Sequence, residues 1–540
     1  MRLQAILVLV AVGIMLADGQ YASAEPTQQP HWASFRNGGS SHASGDYPVS
    51  WGPKRGVIWQ QELKGYGQST PVIFGQKVFV ATVIGPMKET CCVSCWNLKD
   101  GKPLWTHTLP AATKAASNYS VARAAPTPVV DASSVFVFFE GGDLVALTHD
   151  GEKQWHRNLS ADFGPFENHH GLGSSPTQTD DLVIVTLEHR GPSNLVAVDK
   201  SSGDIRWKVD RPSGMSWTSP IVADTPAGSR VIVSSAGKVT AYDAGSGRAV
   251  WSMEGLEGNS VPSPTLVGNH LLIGARSAEF GDGSAAAKSN LCLKLSDDSY
   301  DVLWHAEKVL SDYSSPVVAR DCVYYLNKLG VLTCLDLTSG ARHYTERLGC
   351  VCWATPLVAG GNVYFFGKNG ETHVVRAGAT FERVAVNQLW NPNNPPNPET
   401  YVESARRERG ANDQGAPKQT TGKPAESSES TQQRPSGFLG ILLSMDKNGD
   451  GVLTKGELSP RYQRMLVGGD LNGDDKLDKA ELKTMAESFR KRRSGSREGA
   501  RDPIVYGVGA AYGVIVVRTG TRLYAIKTAQ NDTADQRGAP

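Results

Sequence analysis

One twelve-residue stretch has oxygen-bearing side chains spaced so that they can wrap a cation: Asp446-Lys-Asn448-Gly-Asp450-Gly451-Val452-Leu-Thr454-Lys-Gly-Glu457. Asp446, Asn448 and Asp450 present an oxygen at every second residue. Val452 offers its carbonyl, Thr454 reaches through a water, and Glu457 closes the ring with both carboxylate oxygens. Gly451 permits the sharp turn between the two halves. A set of about seven hard oxygens is what Ca²⁺ takes. A second stretch repeats the pattern with Asp470, Asn472, Asp474, Lys476 (through its carbonyl), Asp478 and Glu481. It departs at the sixth position, where Asp475 replaces glycine. Aspartate tolerates the left-handed backbone better than most residues, so the expectation is a weakened loop rather than a lost one.

Both stretches have the form of an EF-hand loop. Only residues 458–469 separate them, room for one short helix and a Gly-Gly stop, whereas a standard pair has two helices and a linker there. The compressed layout resembles dockerin-type and other extracellular EF-hand tandems. By resemblance to EF-hand pairs, Leu453 and Leu477 at the eighth positions pack under the loops. Apolar residues from Phe438 to Met445 predict a helix leading in; Leu482, Met485 and Phe489 predict one face of a helix leading out. The expected effect of calcium is to fold this insert, with weak affinity, rather than to open a groove. The flanks, rich in Pro, Ser, Gln and charge (388–436) or in Arg and Lys (491–502), read as linkers.

The elements that carry the insert are repeats. The clearest unit runs from Thr218 to Trp251. It reads as four short strands, Ser219–Ala223, Arg230–Ser235, Lys238–Asp243 and Arg248–Trp251, between clusters of turn residues. Its end has the form Asp243-x3-Gly247-x3-Trp251. Units with the same opening, a Ser or Thr before Pro, begin at Ser69, Pro126, Ser174, Pro262, Ser314 and Ala354. The fifth reaches Trp304 without the Asp-Gly turn, and the seventh fades near Phe381. An eighth, residues 504–526, has three strands and no terminal Trp strand; the missing strand stands at Gly56–Leu63. Pairing the two ends closes a ring and removes two bare sheet edges. Periods of this length with four strands each predict a propeller.

Net charge is +1, with 40% hydrophobic and 20% charged residues, which argues against nucleic acid as a partner. The run from Ala5 to Ala17 followed by Ala22-Ser23-Ala24 reads as a signal peptide, residues 1–24, so export to the periplasm or cell envelope is expected. After its removal no apolar run is long enough to span a bilayer. Among eight cysteines, Cys91, Cys92 and Cys95 cluster ahead of a strand in the first unit. Cys322 and Cys334 flank a hairpin turn where a cross-strand disulfide fits, and Cys350 and Cys352 share one strand face as packed thiols.

The SPxV openings and D-x3-G-x3-W endings resemble the quinoprotein-like, PQQ-repeat propellers, a group of eight-bladed proteins that includes both pyrroloquinoline quinone (PQQ) dehydrogenases and a noncatalytic envelope propeller. The resemblance implies that Trp59, Trp105, Trp155, Trp207, Trp251 and Trp304 pack between blades. It also raises PQQ as a cofactor, held with Ca²⁺ over the channel, although no match to the family's Ca²⁺-binding Glu, Asn and Asp set or catalytic Asp is found. Residues preceding each blade opening are expected around one channel mouth: Tyr66, Arg123, His169, His170, Trp217, Asn259, Asp312 and Trp353. They suit a small polar ligand or, equally, the satisfaction of strand-end backbone.

The fold class is therefore all-β: an eight-bladed β-propeller closed by N- and C-terminal strands, with a small α-helical EF-hand insertion. Its segments are propeller at 31–387 and 503–527, the insert at 437–490, and a tail at 528–540. The function expected is a monomeric, exported, calcium-binding propeller that docks a protein or glycan partner on one face. A PQQ-dependent oxidoreductase of alcohols or sugars is the alternative, and the sequence leans away from an enzyme.

Overall fold

The computed structural model describes residues 31–117, 121–276, 288–396 and 505–528, together with 442, 444–458, 462–463, 466, 469–470 and 472–485 of the insert. The expected signal peptide and most of the expected linkers lie outside them. Eight antiparallel sheets stand around a common axis, each built on four strands. Blade 4 shows the pattern: Ile221–Thr225, Gly228–Ser235, Lys238–Asp243 and Ala249–Met253 pair in chain order. The middle strands of the blades are buried along both faces, as in Lys77–Ile84 and Thr90–Asn97, because each sheet lies between two others.

The ring closes as the sequence implies. In blade 8, Val505–Ala511, Val514–Thr519 and Arg522–Lys527 come from the C-terminal end and Val57–Glu62 from the N-terminal end. The register sets Trp59 opposite Ala525 and Gln61 opposite Leu523. Blade 7 does not end near Phe381: a fourth strand, Arg383–Gln388, continues it, and Trp390 beyond packs at 6.1 Å against Tyr524 of blade 8. That strand lacks the Asp-Gly turn that signals the others, which is why its pattern faded.

Two repeated devices hold neighbouring blades together. The first explains the Asp-Gly-Trp ending. Trp155 of blade 2 donates Nε1–H to the Lys200 carbonyl of blade 3 (2.8 Å) and lies over Gly203, where an added Cβ would come within 2.8 Å of the ring. Asp199 starts that turn by accepting from the Ser201 and Ser202 amides, and Gly203 takes a φ of +78°. The same tryptophan-to-carbonyl bond runs from Trp59 to Leu98, Trp105 to His149, Trp207 to Ala244 and Trp304 to Leu337. Trp251 differs. Blade 5 lacks the Asp-Gly turn, so this ring is half-buried and packs on Tyr300 at 4.9 Å.

The second device explains the Ser/Thr-Pro openings. The Thr70 amide donates to Thr127 Oγ1, Thr127 to Ser175 Oγ, Ser175 to Ser219, Ser219 to Ser263, Ser263 to Ser315 and Ser315 to Thr355 Oγ1, at 2.8–3.3 Å. Each opening hydroxyl thus satisfies a buried amide of the blade before it, an obligation that burial imposes. The bonds form an arc around the axis from blade 1 to blade 7.

Residues 31–43 fill the axis itself. Trp32 bridges Ile73 of blade 1, and Ala33 accepts from Val130 of blade 2. Arg36, fully buried, donates to Thr265 Oγ1 (2.7 Å) and to the Pro264 carbonyl of blade 5. His42 bonds the Val318 carbonyl of blade 6, and His42–Ala43 pairs in parallel with Leu357–Ala359 of blade 7.

All eight cysteines are free, buried thiols, so the expected Cys322–Cys334 disulfide is not formed. Cys322 faces Asp336 and Cys334 faces Tyr324 across the hairpin: the two cysteines sit at diagonal rather than opposed positions. Cys91, Cys92 and Cys95 lie within the strand Thr90–Asn97, not ahead of it; Cys91 and Cys95 share the face packed between blades 1 and 2.

Candidate functional site

The insert's two loops have matching backbones. In the first, Asp446 Oδ1 accepts from the Gly449 amide (2.7 Å) and Oδ2 from Gly451 (2.8 Å); in the second, Asp470 Oδ1 accepts from Gly473 and Oδ2 from Asp475 (2.9 Å). Asp450 and Asp474 each accept from the amide two residues on, Val452 and Lys476. These bonds give the two loops the same turn, and within each the asparagine amide donates to the next aspartate, Asn448 to Asp450 and Asn472 to Asp474. Gly451 has a φ of +79°, and Asp475 in the corresponding place takes +65°, so the second loop adopts the same turn without a glycine at its sixth position.

The twelfth residue of each loop accepts from the backbone amide three residues before it. Glu457 Oε2 accepts from the Thr454 amide and hydroxyl, and its Oε1 reaches back to the Lys447 amide. The Thr454 amide and hydroxyl hold the Glu457 carboxyl below its usual range, so it is ionised near neutrality. Glu481 and Asp478 exchange bonds, Glu481 accepting from the Asp478 amide and Asp478 from the Glu481 amide, a capping box that starts the helix over 479–485. Leu453 and Leu477 pair in a two-stranded bridge between the loops and are fully buried with Leu442, Leu458, Leu466, Leu482 and Met485.

The second loop lies against the propeller. Asp475 pairs with Lys308 (2.8 Å), and a cleft lined by Lys308, Leu310, Arg342, Leu466, Asp470 and Gly473 marks the seam with blades 5 and 6. Nothing local in the sequence signalled this seam.

The expected mouth residues divide. Arg123, fully buried, stacks its guanidinium 3.4 Å above the Tyr66 ring, whose hydroxyl bonds that of Tyr506 (2.7 Å). Tyr506 neighbours Trp353, which lies between Tyr313 (5.6 Å) and the Lys368 ammonium (3.6 Å). This arc of aromatic rings with a cation at each end has Trp32, Phe35 and Arg36 of the axial segment for a floor. His169 and His170 form a separate, exposed pair at 4.1 Å, with His170 beside Trp217. Asn259 and Asp312 are buried and spent on their own blades: Asn259 bonds Ser234, Lys238 and Gly237, and Asp312 accepts from the Lys328 amide (2.7 Å). Tyr506, Tyr313 and Lys368 belong to the arc but were not expected; each comes from a segment whose only signal is its neighbours in space.

One further group joins chemistry-bearing residues. Cys350 Sγ, Glu371 and His373 offer ligand atoms within 4.8 Å of one another, and Cys352 Sγ is 3.7 Å from Cys350 Sγ. Cys352, hydrogen-bonded to it, and His373 draw the Cys350 thiol down against its burial; burial alone would lower His373, but Cys350 and Glu371 raise it to about 9.

The architecture defines a PQQ-repeat β-propeller. The family model described as outer membrane protein assembly factor BamB matches residues 50–169 and 169–346, and the chain belongs to that family. An outer membrane protein assembly factor BamB of Yersinia pestis is 26% identical over 221 residues, which are 40% of this chain and 51% of that protein. The chain thus spans about half the length of the curated relative it matches. Among solved structures, BamB of Moraxella catarrhalis aligns with a TM-score of 0.45 at 16% identity, covering 61% of this chain and 87% of that one. A europium-containing methanol dehydrogenase aligns with a TM-score of 0.36 at 11% identity, covering 65% and 90%. No helix among the described residues is long and apolar enough to cross a membrane.

Proposed function

We propose that the protein is an exported, noncatalytic propeller of the cell envelope, a binding module that carries a calcium-ordered EF-hand pair. The observation that carries the calcium reading is the matched loop pair. In each, one aspartate gathers the turn amides, two more oxygen-bearing side chains alternate behind it, and a capped glutamate closes the far side. Asp446, Asn448, Asp450, Val452, Thr454 and Glu457 would hold one Ca²⁺; Asp470, Asn472, Asp474, Lys476, Asp478 and Glu481 the other. The ion replaces several backbone amides as the partner of clustered carboxylates, so binding stabilises the folded insert. Family membership and the signal-like N-terminus support the envelope setting, and the name of the Yersinia pestis relative, an outer membrane protein assembly factor, supports a protein partner.

The binding-module reading is preferred to a quinone-dependent oxidoreductase. Beneath Tyr506 and Trp353 the axial segment occupies the channel, and Asp312 is committed at Oδ2 to the Lys328 amide and at 3.6 Å to its ammonium. Calorimetric titration of the full chain, stripped of metal, tests the proposal. Two Ca²⁺ are expected per chain, one lost in Glu457→Gln and the other in Glu481→Gln. Saturable Ca²⁺ uptake that both variants leave intact overturns it. Reconstitution with PQQ followed by dye-linked alcohol or sugar oxidation tests the alternative; turnover by a 1:1 complex would overturn the noncatalytic assignment.

A further inference from the structure

Behind Trp353, at the mouth end of the seam between blades 6 and 7, two backbone segments converge. Residues 350–353 enter blade 7, and residues 367–370 turn between its second strand, Asn362–Phe366, and its third, Glu371–Arg376, which carries His373. The segments are tied by the bond from the Lys368 amide to the Val351 carbonyl and by the bridge of Cys352 to Gly367. An added Cβ on Gly367 would meet Asn369 Oδ1 (2.7 Å), the Glu371 carbonyl (2.8 Å) and Cys350 Cβ (3.2 Å), so the bare Cα lets the two segments pack this closely. We propose that Cys350, Cys352 and His373, with Glu371 behind the imidazole, form a binding site for a thiophilic metal ion, Zn²⁺ by its chemistry, distinct from the calcium loops.

Three observations carry the assignment. First, the spacing of the thiols fits one ion. Two thiolates on a tetrahedral Zn²⁺ at about 2.3 Å stand roughly 3.8 Å apart, and the Cys350 and Cys352 sulfurs are separated by 3.7 Å. A disulfide needs a separation of about 2 Å. Second, the imidazole is set as zinc-binding imidazoles are. His373 Nε2 meets Glu371 Oε1 at 2.5 Å, which keeps a proton on Nε2 and leaves Nδ1 as the nitrogen that gives up its proton to take a metal. His373 is 2% exposed, and its Nδ1 is a buried atom that makes no hydrogen bond. Third, Gln388 Nε2 holds the other oxygen of Glu371, so the carboxylate is fixed from both sides. Two soft sulfurs and an imidazole select Zn²⁺ over Ca²⁺ and Mg²⁺. The calcium loops offer only oxygen. An ion here would pin the segment bearing Trp353 to the turn bearing Lys368, and so set the shape of the aromatic arc at the channel mouth.

The test uses the full chain, reduced, stripped of metal and then saturated with Ca²⁺, and titrates it with Co²⁺ as a spectroscopic stand-in for Zn²⁺. One equivalent of Co²⁺ is expected to give thiolate-to-metal charge-transfer absorption that Zn²⁺ then abolishes. Cys350→Ser, Cys352→Ser and His373→Gln should lose it and Cys95→Ser should retain it. Glu371→Gln, which alters a positioning residue, should weaken Zn²⁺ binding by about 10–100-fold while keeping the band. Far-ultraviolet circular dichroism and the calcium titration establish that each variant is folded. A reduced wild-type chain that gives no charge-transfer band, or a band that survives Cys350→Ser in a folded variant, overturns the proposal. Metal-free protein in which Cys350 and Cys352 are joined as a disulfide overturns it as well.

Discussion

Replacing Trp155 by alanine should cost far more stability than replacing Trp251, although the two occupy the same place in their repeats. Trp155 fills the seam between blades 2 and 3, donates to Lys200 and covers the bare Cα of Gly203. Removing a buried tryptophan costs about 3–5 kcal/mol, and the orphaned Lys200 carbonyl adds about 1 kcal/mol. Trp251 is half-buried against Tyr300, so only part of its apolar surface is lost, on the order of 1–2 kcal/mol. The assay is equilibrium unfolding in guanidinium, comparing midpoints at unchanged slope. The predicted difference is at least about 2 kcal/mol. Equal midpoints for the two variants would refute the view that the Asp-Gly turn exists to seat the preceding blade's tryptophan. Gly203→Ala tests the same seat from the other side. Its Cβ would meet the Trp155 ring at a φ of +78°, so its midpoint should fall toward that of Trp155→Ala.

The opening hydroxyls make a separate prediction: Ser175→Ala strands the buried Thr127 amide and should destabilise by about 1–3 kcal/mol, whereas Ser175→Thr should recover most of it in the same unfolding assay. The turn carboxylates predict an acid response. The Ser201 and Arg206 side chains hold Asp199 at about 2, against 3.8 for the free side chain. A group depressed in the folded state contributes stability above its unfolded value and loses it as pH falls through the folded one. Asp199→Asn should therefore lower the unfolding midpoint near neutrality and converge with wild type as pH drops from 3.8 toward 2. At the insert, Lys308→Ala breaks a half-exposed ion pair to Asp475 and should change overall stability by under about 1 kcal/mol. It should, however, raise the mobility of the second loop, measurable by limited proteolysis with calcium bound.

What was legible in the sequence was what repeats or is local. Ser219–Ala223, read from turn residues and β-branched runs, lies two residues from the observed Ile221–Thr225, and Lys238–Asp243 matches to the residue. The two loops could be proposed as cation sites because the spacing of their oxygens is a property of consecutive residues. What was not legible depends on distant segments. Residues 31–43 carry no repeat signal, yet Arg36 finds its partners at Pro264 and Thr265. The cross-strand disulfide failed because hairpin spacing fixes which strands meet, not whether Cys322 and Cys334 are directly opposed. Cys350 and Cys352 read as packed thiols because the residues that make them a chemical group, Glu371 and His373, arrive from the strand Glu371–Arg376, about twenty residues later. Of the expected mouth residues, Arg123 and Trp353 share one run of aromatic contacts, whereas Asn259 and Asp312 answer to backbone of neighbouring strands.

On the proposed reading, calcium orders an appendage on a propeller that is already sealed. Hydrogen exchange of the full chain, read by mass spectrometry with and without Ca²⁺, tests it most directly. Added calcium should slow exchange across 444–485 and at the seam around Lys308 and Arg342, and leave the middle strands of all eight blades unchanged. Calcium-independent exchange across 444–485, or calcium-dependent exchange spread through the blades, would contradict it.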